Sequence, residues 1–118
     1  MVPSTPPGEV PLELPVEAVH ALLQSQPEDC VLIDVREPFE HEIARLSPAR
    51  LIPMRQIPEH LDSAELPRDK HLLIHCHHGG RSLRVTEFLR SRAYPRVTNV
   101  AGGIEAWSLR IDPSVPRY

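Results

Sequence analysis

Seven consecutive residues, Cys76-His77-His78-Gly79-Gly80-Arg81-Ser82, bring together a thiol, two glycines and a permanent cation. They stand between Leu72-Leu73-Ile74-His75, an apolar run too short for a helix, and a segment from Ser82 to Ala93. In that segment Leu83, Val85, Phe88 and Leu89 suit one face of an amphipathic helix. The order is therefore strand, glycine-containing loop, helix. A helix N-terminus carries backbone N–H groups with no intrahelical partner and the positive end of the helix dipole, so it attracts anions. A cysteine one turn ahead of such a terminus is stabilised as its thiolate, and its pKa falls below the free value of about 8.5. Gly79 and Gly80 let consecutive N–H groups turn inward as an anion-holding nest, and Arg81 adds positive charge. Ser82 is placed to cap the helix through its hydroxyl. The chemistry this predicts is nucleophilic. Cys76 attacks from an exposed turn, and the amides from His77 to Arg81 hold the charged product.

Other segments must position that loop. Residues 1 to 11 hold Pro3, Pro6, Pro7, Gly8 and Pro11, a flexible proline-rich lead-in without chemistry. Residues 12 to 118 then form a single domain. Leu12-Glu13-Leu14 reads as a short strand, and Val16, Val19, Leu22 and Leu23 recur at helical spacing behind Pro15. Val31-Leu32-Ile33-Asp34-Val35 is the pattern of a strand covered on both faces. A short helix is predicted between Glu37 and Leu46, a weak strand at Arg50-Leu51-Ile52-Pro53, and a helical stretch over Ile57, Leu61 and Leu66 bounded by Pro58 and Pro67. Val97-Thr98-Asn99-Val100 is one more strand, followed by Ala101-Gly102-Gly103 and a brief helix through Trp107. Residues 112 to 118 read as irregular. Strands alternating with helices favour parallel pairing and a three-layer α/β domain, whose ligands sit beyond the carboxyl ends of the strands.

Composition bounds the function. The chain has 118 residues with 13 basic and 16 acidic side chains, a net charge of −3 and 14 prolines. That many prolines disfavour a helical bundle. With no basic block and few aromatic residues to stack bases, nucleic acid is not a predicted partner. No apolar run approaches the length of about 18 residues that a membrane span needs. The start of the chain lacks the basic and apolar parts of a secretory signal, so a cytoplasmic location is predicted. Cys30 and Cys76 are the two cysteines. Cys30 lies at the amino end of its strand and Cys76 beyond the carboxyl end of a parallel one, roughly 16 Å away at about 3.3 Å per residue. A disulfide needs Cα atoms within about 7 Å, so the two should not pair.

The loop resembles the active-site loop of the rhodanese-like sulfurtransferases, a cysteine, four residues and an arginine. Leu32-Ile33-Asp34-Val35-Arg36-Glu37 resembles that family's second-strand motif, and Val100-Ala101-Gly102-Gly103-Ile104-Glu105-Ala106-Trp107 its C-terminal motif. The three occur in the family's order and span roughly residues 12 to 110. The resemblance implies a rhodanese-like α/β domain with a five-stranded, mainly parallel sheet flanked by helices. It also implies a sulfurtransferase of the thiosulfate type. A sulfane sulfur passes from a small anionic donor to a thiophilic acceptor, cyanide or a thiol, through a Cys76 persulfide, without metal or organic cofactor. Cys76 corresponds to the nucleophile, and His77, His78, Gly79, Gly80, Arg81 and Ser82 line the substrate. Arg81 binds the donor or braces the loop. One stretch departs from the family. Where Gly-His-Ile-Pro-Gly-Ala is usual, this chain has Ala44-Arg45-Leu46-Ser47-Pro48-Ala49.

Asp34 and Arg36 end a buried strand and are expected to support the site as a charge pair fixing the following loop. Glu37, Glu40 and Glu42 read as a solvated face, and Trp107 as core. His71, His75, His77 and His78 surround Cys76 in sequence, but strand alternation separates His75 from Cys76 and paired Cys-x2-Cys spacing is absent, which argues against a metal centre. Two alternatives stay open: a carrier module that takes sulfur from a protein partner, and an arsenate-reductase-like or phosphatase-like anion site. The latter usually has one more residue between cysteine and arginine.

Overall fold

Strands β2 (Cys30–Asp34) and β4 (His71–His75) are buried along nearly their whole length, which places them side by side at the centre of a sheet. The computed structural model describes residues 10–118. β1 (Glu13–Leu14), β3 (Arg50–Leu51) and β5 (Val97–Val100) complete a five-stranded sheet of order β1-β5-β4-β2-β3. Every pairing is parallel, so the predicted sheet is parallel throughout. Helices α1 (Val16–Ser25), α2 (Pro38–Ile43), α3 (Gly80–Ser91) and α4 (Gly103–Arg110), with a 3₁₀ helix at Met54–His60, connect the strands.

Alternation along β4 divides the core in two. Leu72, Ile74 and Cys76 join Val85 and Leu89 of α3 and Ile57 of the 3₁₀ helix in one buried cluster. Leu73 joins Val16 and Val19 of α1 and Ile104 and Trp107 of α4 in the other. Apolar area is thus removed from water on both faces, the condition that lets short β-branched and leucine-rich strands pair in parallel. Trp107 is core, as the sequence predicts. Cys30 stands in register with His71, at the opposite end of β4 from Cys76, and both thiols are free.

Two expectations need correction. The helix after Glu37 stops at Ile43, because Ala44 is already extended at φ −156° and ψ 137°. The stretch around Ile57 is a 3₁₀ helix, Met54–His60, that carries Pro58 inside it. Leu61 and Leu66 lie in the turns beyond it. The missing family glycines leave no strain, because among the described residues the only non-glycine positions with positive φ are Asp62 and Ala93. The predicted lead-in falls mostly outside the described residues. Within them, Val10 and Pro11 offer their carbonyls to Arg90 and Thr98.

Candidate active site

Cys76 leaves β4 where the sheet ends, and the chain turns at once into α3. Gly79 makes that turn with φ 108°, a left-handed conformation that side chains resist, and a Cβ there would stand 3.2 Å from the Gly102 nitrogen. The turn brings three donors onto the Cys76 Sγ. The Gly79 N–H lies 3.1 Å away, the Ser82 N–H 3.3 Å and the Ser82 hydroxyl 3.2 Å. Donors converging on sulfur can hold an anion built upon it.

The neighbouring turn holds this shape from behind. Gly103, at φ 59°, comes so close that a Cβ would meet the carbonyl oxygens of Cys76 and His77 at 2.5 Å. That approach lets the first N–H groups of α4 donate to those carbonyls, Ile104 to Cys76 at 2.9 Å and Glu105 to His77 at 3.1 Å. With its carbonyls claimed by α4, the loop can turn its following amides toward the sulfur. Asn99 of β5 adds a bond to the Gly79 carbonyl.

Several predicted roles shift. Ser82 lies in the first turn of α3 and donates to sulfur, while Gly79 occupies the capping position, so the serine is no helix cap. Gly80 opens α3 with no atom within 4 Å of a Cβ built on it, and needs no glycine for space. Cys76 is 1% exposed, so its thiol lies below the surface and not on an exposed turn. The amide donors that reach the thiol itself belong to Gly79 and Ser82.

Arg81 forks onto Glu40 at 2.6 and 2.9 Å. These bonds hold the Glu40 carboxyl down at about 2 against its burial, and the arginine is raised in turn. Glu40 is therefore a buried site residue, not part of a solvated face. An acidic run flanked by exposed neighbours gave no sign of this, because its partner lies 41 residues away. Asp34 and Arg36 form the expected pair, fully buried, with bonds of 2.7, 2.9 and 3.0 Å. Burial alone would raise Asp34, but Arg36, His75 and His41 outweigh it and bring the carboxyl to about 2. Arg36 also donates to the carbonyls of Glu40 and Ala44, which ties the end of β2 to the middle and the C-terminal cap of the short helix that carries Glu40.

The four histidines disperse. His71 bonds the Thr98 hydroxyl, and His75 is buried with Nδ1 at 3.3 Å from the Cys76 carbonyl, its pKa pulled by burial to about 4. His77 stacks on His78 and on Tyr118 with centroids 3.9 Å apart in each pair. Burial and then His78 lower the His77 pKa, so this ring adds less positive potential than the sequence suggests. Among the described residues, no three His, Cys, Asp or Glu side chains converge as a metal-binding group.

A buried cysteine ringed by donors beyond a parallel strand invites comparison with known proteins. Residues 16–110 match the model of a family described as the rhodanese-like domain. The chain belongs to this family. Among curated relatives, a rhodanese-like/PpiC domain-containing protein 12, chloroplastic, from Arabidopsis thaliana is 38% identical over 110 residues, covering 90% of this chain. The present chain spans only 37% of that plant protein. A sulfurtransferase from Allochromatium vinosum is 37% identical over 81 residues, covering 69% of this chain and 74% of its own length. The crystal structure of a rhodanese-like domain protein from Staphylococcus aureus superposes with a TM-score of 0.74 at 26% identity, covering 90% of this chain and 97% of that one. The present chain thus holds one rhodanese-like domain, over residues 16–110. Among the described residues no helix is long and apolar enough to cross a membrane.

Proposed function

We propose that Cys76 carries sulfur as a persulfide between a small anionic donor and a thiophilic acceptor. The observation that supports this reading is the set of three donors on Sγ, from Gly79 and Ser82. With thiosulfate, the Cys76 thiolate attacks the outer sulfur. A sulfur–sulfur bond forms to Cys76, the bond to the sulfite sulfur breaks, and sulfite leaves with that electron pair. Cyanide or a thiolate then attacks the outer persulfide sulfur and departs as thiocyanate or a new persulfide, returning Cys76 as thiolate. Charge balances in both steps without an added oxidant or reductant. Reactivity follows thiol exchange, in which a poised thiolate and a good leaving group set the rate.

A protein partner is the second reading. Phe39 and Ile43, 63% and 48% exposed, stand one helical turn apart on α2 and flank the Glu40 that holds Arg81. This apolar pair beside the loop suits docking of a protein that brings or removes sulfur. A phosphatase-like role is less well supported, because such anion sites usually carry one more residue between cysteine and arginine than the four found here. Intact-mass measurement after treatment with a panel of donors tests the proposal. One added sulfur with thiosulfate supports the small-donor reading, one added sulfur only with a protein persulfide supports the carrier reading, and none with any donor refutes both.

A further inference from the structure

We propose that Tyr118 is a positioning residue for the anion-facing side of the site, acting through Glu40 on Arg81; this deepens the sulfur-transfer reading and rests on it for its consequence. The tail after α4 reads as irregular in sequence, yet its tyrosine makes four separate contacts with the site. The hydroxyl accepts from Arg36 Nη1 at 2.8 Å and donates to Glu40 Oε2 at 2.7 Å, across 82 and 78 residues of chain. The ring lies parallel to His77, 3.9 Å between centroids and 9° between planes, and beside the Arg36 guanidinium.

The hydroxyl therefore links two ion pairs of different character. Asp34 and Arg36 are fully buried and fixed. Arg81 and Glu40 are joined at the rim, where the arginine side chain is 33% exposed. Arg81 takes both Glu40 oxygens, and the Glu37 N–H takes Oε1 at 3.1 Å, so the Tyr118 hydroxyl supplies the further donor on Oε2. It fixes which way the carboxylate faces. Because a forked pair transmits the orientation of one partner to the other, the direction of the Arg81 guanidinium follows from this phenol. At the same time the ring supports His77, the residue next to the nucleophile. Removing the hydroxyl leaves Arg36 one acceptor short and lets Glu40 and Arg81 turn together away from the approach to sulfur. Anionic reagents should feel this loss and neutral ones should not.

Alkylation of Cys76 in the full chain measures that difference without requiring sulfur transfer. Rates are compared for iodoacetate and iodoacetamide, with adducts assigned by peptide mass because Cys30 is also free. The ratio of the two rates cancels changes in thiolate fraction. For Tyr118→Phe the iodoacetate to iodoacetamide ratio should fall about threefold to tenfold, the range of one ordinary net hydrogen bond, with iodoacetamide within about twofold of wild type. Arg117→Ala, which removes only the exposed bridge from the same tail to Glu105, should leave the ratio unchanged. An unchanged ratio in Tyr118→Phe, an equal fall in Arg117→Ala, or equal slowing with both reagents overturns the proposal. Steady-state kinetics with thiosulfate should show the same split, a raised KM with kcat retained. A wild-type protein that takes up no sulfur refutes the sulfur-transfer reading, while the alkylation ratio still decides the role of Tyr118.

Discussion

Ser82 contributes two of the three donors on the Cys76 sulfur, one from its backbone and one from its hydroxyl. Only the hydroxyl can be removed by mutation. Ser82→Ala should slow alkylation of Cys76 by iodoacetamide, and sulfur uptake from thiosulfate, by about tenfold, the scale of one hydrogen bond to a charged group. An unchanged rate would mean that the two amides hold the anion alone. At this scale the sequence was informative about residue types and less so about directions. Cys76, Gly79 and Ser82 meet as the loop's composition suggests, but the serine turns inward where capping statistics turn it along the helix. Capping depends on where a helix begins, and α3 begins at Gly80, two residues before Ser82.

At the scale of elements, the site is a strand end, a loop and two helix starts pressed together. α4 holds the loop by its carbonyls, and Gly103 is the point of closest approach. The glycines consequently should differ sharply. Gly103→Ala should cost about 2 kcal/mol or more in thermal or urea unfolding, since its Cβ meets two backbone oxygens and its φ is 59°. Gly80→Ala has open space and a helical position, and should be neutral or stabilising by about 0.5 kcal/mol. Equal costs at the two positions would contradict the close packing of α4 on the loop. Here the sequence showed the pairs Gly79-Gly80 and Gly102-Gly103 but not which member of the first pair the fold needs. The two buried strands were legible because the short apolar runs Val31-Leu32-Ile33 and Leu72-Leu73-Ile74 leave few other choices. The 3₁₀ helix was not, because apolar spacing alone does not separate it from an α-helix.

Across the whole molecule, buried ionisable groups tie stability to pH. Asp34 and Glu40 are held at about 2 from ordinary values of 3.8 and 4.5. A lowered carboxyl contributes stability above its ordinary value and loses it as pH falls toward the folded one. His75, brought to about 4 from 6.5 by burial, acts in the same direction, because the unfolded chain takes up that proton first. Melting temperature should therefore be highest near neutrality, decline as pH drops below about 6.5 and fall more steeply below about 4.5. A melting temperature that stays level or rises from pH 7 to pH 4 would contradict this burial. The network responsible joins β2, α2, β4, α3 and the tail, with partners up to 82 residues apart. No local pattern could reveal it. Glu40 resembles any acidic residue on a short helix, and Tyr118 follows two prolines in a segment without periodicity.

The central claim is that the Cys76 sulfur accepts and releases a second sulfur atom. Intact mass of the full chain after thiosulfate treatment tests it most directly, with Cys76→Ser beside the wild type and cyanide added afterwards. The account predicts a gain of one sulfur on the wild type, its removal by cyanide, and no gain on Cys76→Ser. A gain that persists in Cys76→Ser, or a wild type that gains nothing from thiosulfate or from any persulfide donor, would contradict it.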